Sequence, residues 1–173
     1  MSIKAAVVTV SDKAHAGRRE DRSGPLLVEW LRDTGFDVVV STVVPDNREQ
    51  IARLLCELAD ETGVDLVITT GGTGAAPRDV TPEATRDAME REMPGLAELL
   101  RWEGYRRTPY AVLSRGVAGI RKGTLMVNLA GNPKAVREGI EILQPVLPHA
   151  LQMLRGENLE HGTGSHEHHH HEH

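Results

Sequence analysis

The 173-residue chain carries only five aromatic residues, Trp30, Trp102, Phe36, Tyr105 and Tyr110, and a single cysteine, Cys56. So few rings leave little material for the stacking platforms that hold single-stranded nucleic acid. One thiol excludes any disulfide within the chain, a usage that fits a reducing cytosol. No apolar run approaches the ~20 residues of a membrane-spanning helix. The opening MSIKAAVVTVSDK turns polar too early for a secretory signal and has no small-residue cleavage site. Surplus positive charge is also missing, because 20 Lys+Arg face 25 Asp+Glu for a formal charge of −5. That balance argues against an extended polyanionic partner. The expectation is a cytoplasmic globular protein with neither a nucleic-acid nor a membrane partner.

Histidine is plentiful but concentrated in one place. Seven of the nine lie between His161 and His173, leaving His15 and His149 in the body. Residues 157–173 are expected to be a disordered His-rich tail, with Zn²⁺ or Ni²⁺ chelation as the open alternative. Residues 1–156 then form one domain of ordinary size.

Within that body, β-branched runs alternate with helical patterns, which predicts an α/β protein with a mostly parallel sheet. Strands are expected at Ile3–Val10, Asp37–Val44, Asp65–Thr70, Tyr110–Ser114 and Thr124–Leu129. Helices are expected after Ser23-Gly24-Pro25, through Ile51, Leu54, Leu55 and Leu58, and after Thr81-Pro82-Glu83 with Thr81 as the cap. Further helices follow Met93-Pro94-Gly95 and Asn132-Pro133, with Pro145 and Pro148 breaking the last one. The turns that follow strands are repeatedly polar or glycine-rich, and in a parallel sheet they share the edge where ligands bind.

Thr69-Thr70-Gly71-Gly72-Thr73-Gly74 is the strongest local signal. Glycines after an apolar strand let backbone N–H groups approach an anion. The segment is neither a P-loop, for want of Gly-Lys-Ser/Thr, nor G-x-G-x-x-G, because Pro77 stands at the last position. A flexible connection and another type of phosphate loop both remain open. Asp79, just beyond, suits either a Mg²⁺ ligand or a turn residue paired with Arg78. Asp46 begins Asp46-Asn47-Arg48-Glu49, a capping-box spacing, yet it ends a strand on the same edge as Asp79. Two carboxylates from separate turns can converge on one Mg²⁺. Ser114-Arg115 and Gly131-Asn132-Pro133-Lys134 add donors there, and Asn132 opens a helix that attracts anions. Lys13, Arg78, Arg115, Arg121, Lys122 and Lys134 are expected to supply a local positive field near these turns. Cys56 reads as a small half-buried residue on its helix.

Taken in order, Val10-Ser11-Asp12-Lys13, Pro45-Asp46, Thr69–Gly74, Arg78–Glu83, Glu92-Met93-Pro94-Gly95, Leu113-Ser114-Arg115 and Asn128–Pro133 resemble the MogA/MoaB family of molybdenum-cofactor biosynthesis proteins. The chain is similar also to the G domain of gephyrin and its plant counterpart. The resemblance extends over nearly the whole body, and single motifs are shared with MoeA and CinA proteins. It implies a three-layer α/β/α sandwich, a homotrimer, and adenylylation of molybdopterin by Mg-ATP with release of pyrophosphate. It also implies possible transfer of the product to a MoeA-like partner that inserts molybdate. A non-catalytic pterin carrier of the same family is the alternative. Asp46 and Asp79 match the family's essential carboxylates and its metal ligands. The resemblance places ATP and molybdopterin contacts at Ser11, Asp12, Thr70, Gly71, Gly72, Thr73, Gly74, Thr81, Ser114, Arg115, Gly131 and Asn132. One departure is Ala130, where the family commonly has proline.

Overall fold

In a computed structural model that describes residues 2–156, the alternating pattern becomes one sheet with helices on both faces. Strand β1 (Lys4–Val10) leads into a single helical turn, α1 (Asp12–His15), and then α2 (Ser23–Asp33). Next come β2 (Asp37–Val44), α3 (Arg48–Glu57) with a π-helical extension over Leu58–Thr62, and β3 (Leu66–Thr70). The glycine-rich turn precedes α4 (Thr81–Ala88), β4 (Arg91–Glu92) and α5 (Pro94–Arg107). A 3-10 turn over Pro109–Leu113 then leads to β5 (Ala118–Arg121), β6 (Thr124–Leu129), α6 (Pro133–Leu143) and α7 (Leu147–Leu154). The expected His-rich tail lies outside the described residues.

The strands lie in the order β2-β1-β3-β6-β5-β4. The first four run parallel, and β5 and β4 are antiparallel additions at one edge. Side chains alternate across the sheet, so β1 serves two cores at once. Ala5 and Val7 pack with Leu27 and Leu31 of α2 and with Val136 and Leu143 of α6. Ala6, Val8 and Val10 pack with Ile51 and Leu55 of α3 and with Ala84 and Ala88 of α4. The result is the expected three-layer α/β/α sandwich. Every residue of β3 is buried, as a strand covered on both faces requires.

Three expectations change. Tyr110–Ser114 is not a strand: Tyr110, Val112 and Leu113 stay exposed in the 3-10 turn. Pro109 opens that turn, and Ala111 packs against α5 so closely that a Cβ on Gly104 would come within 2.9 Å of it. The antiparallel partner of β6 is instead Ala118–Arg121, joined to it by a tight turn with Lys122 at φ 51°. Met93-Pro94-Gly95 marks more than a break between helices, because Arg91–Glu92 pairs with β5 as a short edge strand. As expected, α6 stops at Leu143, before Pro145, and Pro148 falls in the first turn of α7.

The chain leaves β1 for β2 on one side and returns to β3 on the other. Where neighbouring connections diverge in this way, a crevice opens beyond the carboxyl ends of the strands. The turns after β1, β2, β3 and β6 meet there.

Candidate functional site

Backbone comes first at this edge. Gly71 and Gly72 adopt φ of 102° and 67°, in the region where a side chain is strained. A Cβ on Gly71 would collide with the Val10 carbonyl, and one on Gly72 with Thr81 Oγ1. Gly131 is packed against the same turn, since its Cβ would stand 2.8 Å from Gly71 Cα. Thr70 Oγ1 donates to the Ala130 carbonyl at 2.8 Å, and Thr81 Oγ1 donates to the Gly71 carbonyl at 2.9 Å. Both threonines are fully buried. Both hydroxyls are used within the turn, and neither threonine lines the cleft described below. Thr81 is also not the cap of α4, since Val80 precedes the helix and the Thr81 hydroxyl is spent on Gly71.

The amide of Gly71 donates to Leu129 and that of Ala76 to Asp79 Oδ2. Between them, the N–H groups of Gly72, Thr73 and Gly74 donate to no acceptor among the described residues. Arg115 clamps this open stretch. Its backbone N–H donates to Thr73 O at 2.8 Å, Nε to Gly74 O at 2.7 Å and Nη2 to Asp79 O at 2.8 Å. Nη1 closes the arrangement on the Glu83 carboxylate at 2.8 and 3.0 Å. The guanidinium is therefore a brace for the loop.

Three carboxylates border the same turn. Asp12 Oδ1 accepts the Asp46 N–H at 2.9 Å and Asp46 Oδ2 accepts the Asp12 N–H at 3.0 Å. Asp46 is thus not the cap of α3. Asn47 fills that position, accepting the Gln50 N–H at 2.9 Å. A Cβ on Gly72 would stand 3.1 Å from Asp46 Oδ1, and one on Gly74 2.8 Å from Asp79 Oδ2. Glycine therefore allows both carboxylates to lie against the loop. Asp79 is not paired with Arg78, whose Nε donates instead to Asp12 Oδ2 at 2.6 Å. Ser11 caps α1, its Oγ accepting the Ala14 N–H at 3.1 Å.

Unequal burial separates the acidities of the two carboxyls. The Asp46 N–H, followed by the opposing effect of burial and then by the Arg78 guanidinium, leaves the Asp12 carboxyl below its ordinary value. Burial pushes Asp46 up; the Asp12 N–H works against that, and the charges of Asp12 and Asp79 add to the rise. A cation at this edge would relieve that repulsion. No group of three or more His, Cys, Asp or Glu side chains among the described residues forms a ready-made metal cage. The donor set suits Mg²⁺, which keeps waters and substrate phosphates while using one or two carboxylates. Asp46 Oδ1 and Asp79 Oδ1 accept no hydrogen bond among the described residues.

Beside the loop, a cleft of about 630 Å³ opens between α5, α6 and the 3-10 turn. Gly72–Gly74, Asp79, Ser114, Gly131 and Asn132 line its polar side, and Leu100, Ala111 and Ile142 belong to its apolar side. Ser114 is steadied by the Gly116 N–H, which donates to Ser114 Oγ at 3.2 Å. Asn132 caps α6 through the Ala135 N–H at 2.9 Å while still lining the cleft. Ser11, Asp12, Asp46 and Arg115 lie outside the cleft lining, around the loop's other side.

Sequence reading missed two residues. Asn128 is buried, donates to Thr69 Oγ1 at 2.8 Å and Thr85 Oγ1 at 3.0 Å, and lines the cleft. A lone amide in the apolar run Thr124–Leu129 was the available signal. Arg101 donates to the Gly116 carbonyl at 2.7 Å and so supports the Ser114 turn. Two expected cations drop out, because Arg121 and Lys122 pair with Asp60 around the β5–β6 turn. Lys134 does line the cleft.

Comparison with known proteins finds relatives over most of the chain. A sequence family described as a probable molybdopterin binding domain matches residues 6–149. The molybdopterin adenylyltransferase of Escherichia coli (strain K12) is 38% identical over 174 residues, covering 92% of this chain and 89% of that protein. The molybdenum cofactor synthesis protein cinnamon of Drosophila melanogaster is 41% identical over 154 residues, 88% of this chain but 26% of that longer protein. The crystal structure of the molybdopterin biosynthesis enzyme MoaB from Thermus thermophilus has a TM-score of 0.85 at 50% identity, covering 90% of this chain and 98% of that one.

Proposed function

The chain belongs to the probable molybdopterin-binding domain family, and from that premise we propose that it is a molybdopterin adenylyltransferase using Mg-ATP. A terminal phosphate oxygen of molybdopterin attacks the α-phosphorus of ATP. The bond to the bridging oxygen breaks, and pyrophosphate leaves with its electron pair. The observation that carries this reading is the set of unpartnered Gly72, Thr73 and Gly74 N–H groups between Asp46, outside the cleft, and the cleft itself, which Asp79 also lines.

Each part has a role in that transfer. The apolar wall of the cleft takes the heterocyclic portion of a substrate, and Ser114 and Asn132 orient its polar edge. The loop amides receive phosphate oxygens without reorganising, because Arg115, Thr70 and Thr81 already hold the loop in place. Asp46 and Asp79 would hold Mg²⁺, which when bound would supply polarisation and charge neutralisation to the phosphates. The nucleophile is already ionised, so no general base is required, and positioning with charge neutralisation provides the catalysis.

The homotrimer belongs to the same reading. Trp102, Tyr105, Tyr110, Val112 and Leu113 are exposed on α5 and the 3-10 turn, an apolar strip that an assembly would cover. The adenylylated product passes to a MoeA-like partner. No described helix is long and apolar enough to cross a membrane, which is compatible with a cytoplasmic site of action.

Pyrophosphate release from ATP in the presence of molybdopterin is the test. Wild type turns over, while Asp46→Asn and Asp79→Asn lose about 10² or more of the rate with circular dichroism unchanged. Tight pterin binding with no pyrophosphate release by wild type would favour the carrier reading instead.

A further inference from the structure

Arg78 differs from the other arginines around the site. Arg101 and Arg115 give guanidinium donors to backbone carbonyls and are built into the framework. Among the described residues Arg78 bonds only Asp12, through Nε to Oδ2 at 2.6 Å and through Nη2 to the same carboxylate. Its base is fixed, because Asp79 N donates to Ala76 O at 2.9 Å and Asp79 Oδ2 accepts the Ala76 N–H at 3.0 Å. Its arm is exposed: 71% of the Arg78 side chain is accessible, against 30% for Asp12. Exposed ion pairs of this kind are weak and readily exchanged.

We propose that Arg78 is a tethered counter-cation that occupies Asp12 until Mg-ATP arrives, and then turns its guanidinium to the nucleotide phosphates. The proposal rests on the Mg-ATP reading above. Asp12, Asp46 and Asp79 form an acidic edge whose repulsion a positive charge relieves, and among the described residues Arg78 is the one cation hydrogen-bonded to a carboxylate of that edge. A planar guanidinium fork fits a carboxylate and a phosphate equally well. Exchanging one for the other keeps the arm paired in both states. The arrangement also makes bare divalent cation a poor ligand, since the guanidinium charge held at Asp12 repels a cation approaching the neighbouring Asp46, whereas the metal–nucleotide complex offers Arg78 a new partner.

Mn²⁺ binding to the nucleotide-free protein, read from loss of the free-ion electron paramagnetic resonance signal, tests this alongside the KM for ATP. Arg78→Gln is expected to bind Mn²⁺ about fivefold more tightly than wild type and to raise the ATP KM by about the same factor. General loosening of the site would weaken both. Arg18→Gln is the control, because Arg18 acts on Asp12 by charge without a hydrogen bond. An equal effect there assigns the change to the overall field and overturns the proposal. Unchanged or undetectable Mn²⁺ binding in Arg78→Gln overturns it too. Asp46→Asn separates the two readings. If it leaves Mn²⁺ binding intact, the metal site itself is misplaced and both fall; if it abolishes binding while Arg78→Gln matches wild type, only the role of Arg78 falls.

Discussion

Asp12 and Asp46 each accept the other's backbone N–H, at 2.9 and 3.0 Å, and so hold the turns after β1 and β2 together with two carboxylates side by side. Both bonds pull their carboxyls down, but burial, with the charges of Asp12 and Asp79, outweighs this at Asp46, so Asp12 ends lowered and Asp46 raised.

That division carries a stability consequence. A carboxyl whose folded value is raised binds its proton more tightly in the native state, so its ionisation costs stability as pH rises through that value. Asp46→Asn keeps an acceptor for the Asp12 N–H and removes the charge. Its melting temperature at pH 7.5 should equal or exceed that of wild type, with the gain shrinking as pH falls through the raised Asp46 value. A scan of melting temperature against pH checks this, and a loss of stability at pH 7.5 would contradict it.

The buried Thr81 hydroxyl gives a prediction about the loop. Thr81→Val leaves the Gly71 carbonyl without its donor and should cost about 1–3 kcal/mol in chemical denaturation. Thr81→Ser should recover most of it. Because the bond closes the glycine turn, the valine variant should lose turnover as well.

At the opposite end of the sheet, Asp60 takes Arg121 at 2.8 and 3.0 Å and Lys122 at 3.2 Å. The Arg121 guanidinium in first place, with Lys122, holds its carboxyl at about 2. A lowered carboxyl contributes stability above its ordinary value of 3.8, and that contribution fades as pH falls through about 2. Asp60→Asn should therefore melt below wild type at neutral pH, with the gap narrowing between pH 4 and 2. Activity should be unaffected, since this corner lies away from the cleft.

Trp102 is 69% exposed on α5. Trp102→Glu should convert the proposed trimer to monomers in light scattering while the circular dichroism spectrum is retained. Monomeric wild type would refute the assembly.

What the sequence made legible, and what it did not, follows contact range. β1, β3 and β6 are mostly apolar runs, as strands buried on both faces must be, and the half-exposed edge strand β2 is legible from its β-branched residues. The glycine turn was readable because its φ values require glycine. Ala118–Arg121 was not, being four residues long with Gly119 inside it; a Cβ on Gly119 would strike the Met89 side chain and the Arg91 carbonyl, contacts no local pattern reveals. Tyr110–Ser114 was misread because exposed apolar residues in a 3-10 turn have the composition of a strand. Asp46 and Asn47 are both competent caps, and only the Asp12 amide decides between them. The Arg78–Asp12 pair spans 66 positions, beyond any spacing rule.

The near-contact of Gly71 and Gly131 bears on how this scaffold diversifies. Two turns that meet through backbone leave no side chain between them to be exchanged. The surface proposed to face the phosphates is accordingly a fixed frame, the same for whatever heterocycle such a substrate carries. Discrimination among substrates must then be written on the opposite wall, where Leu100, Ala111 and Ile142 can change size without disturbing the frame.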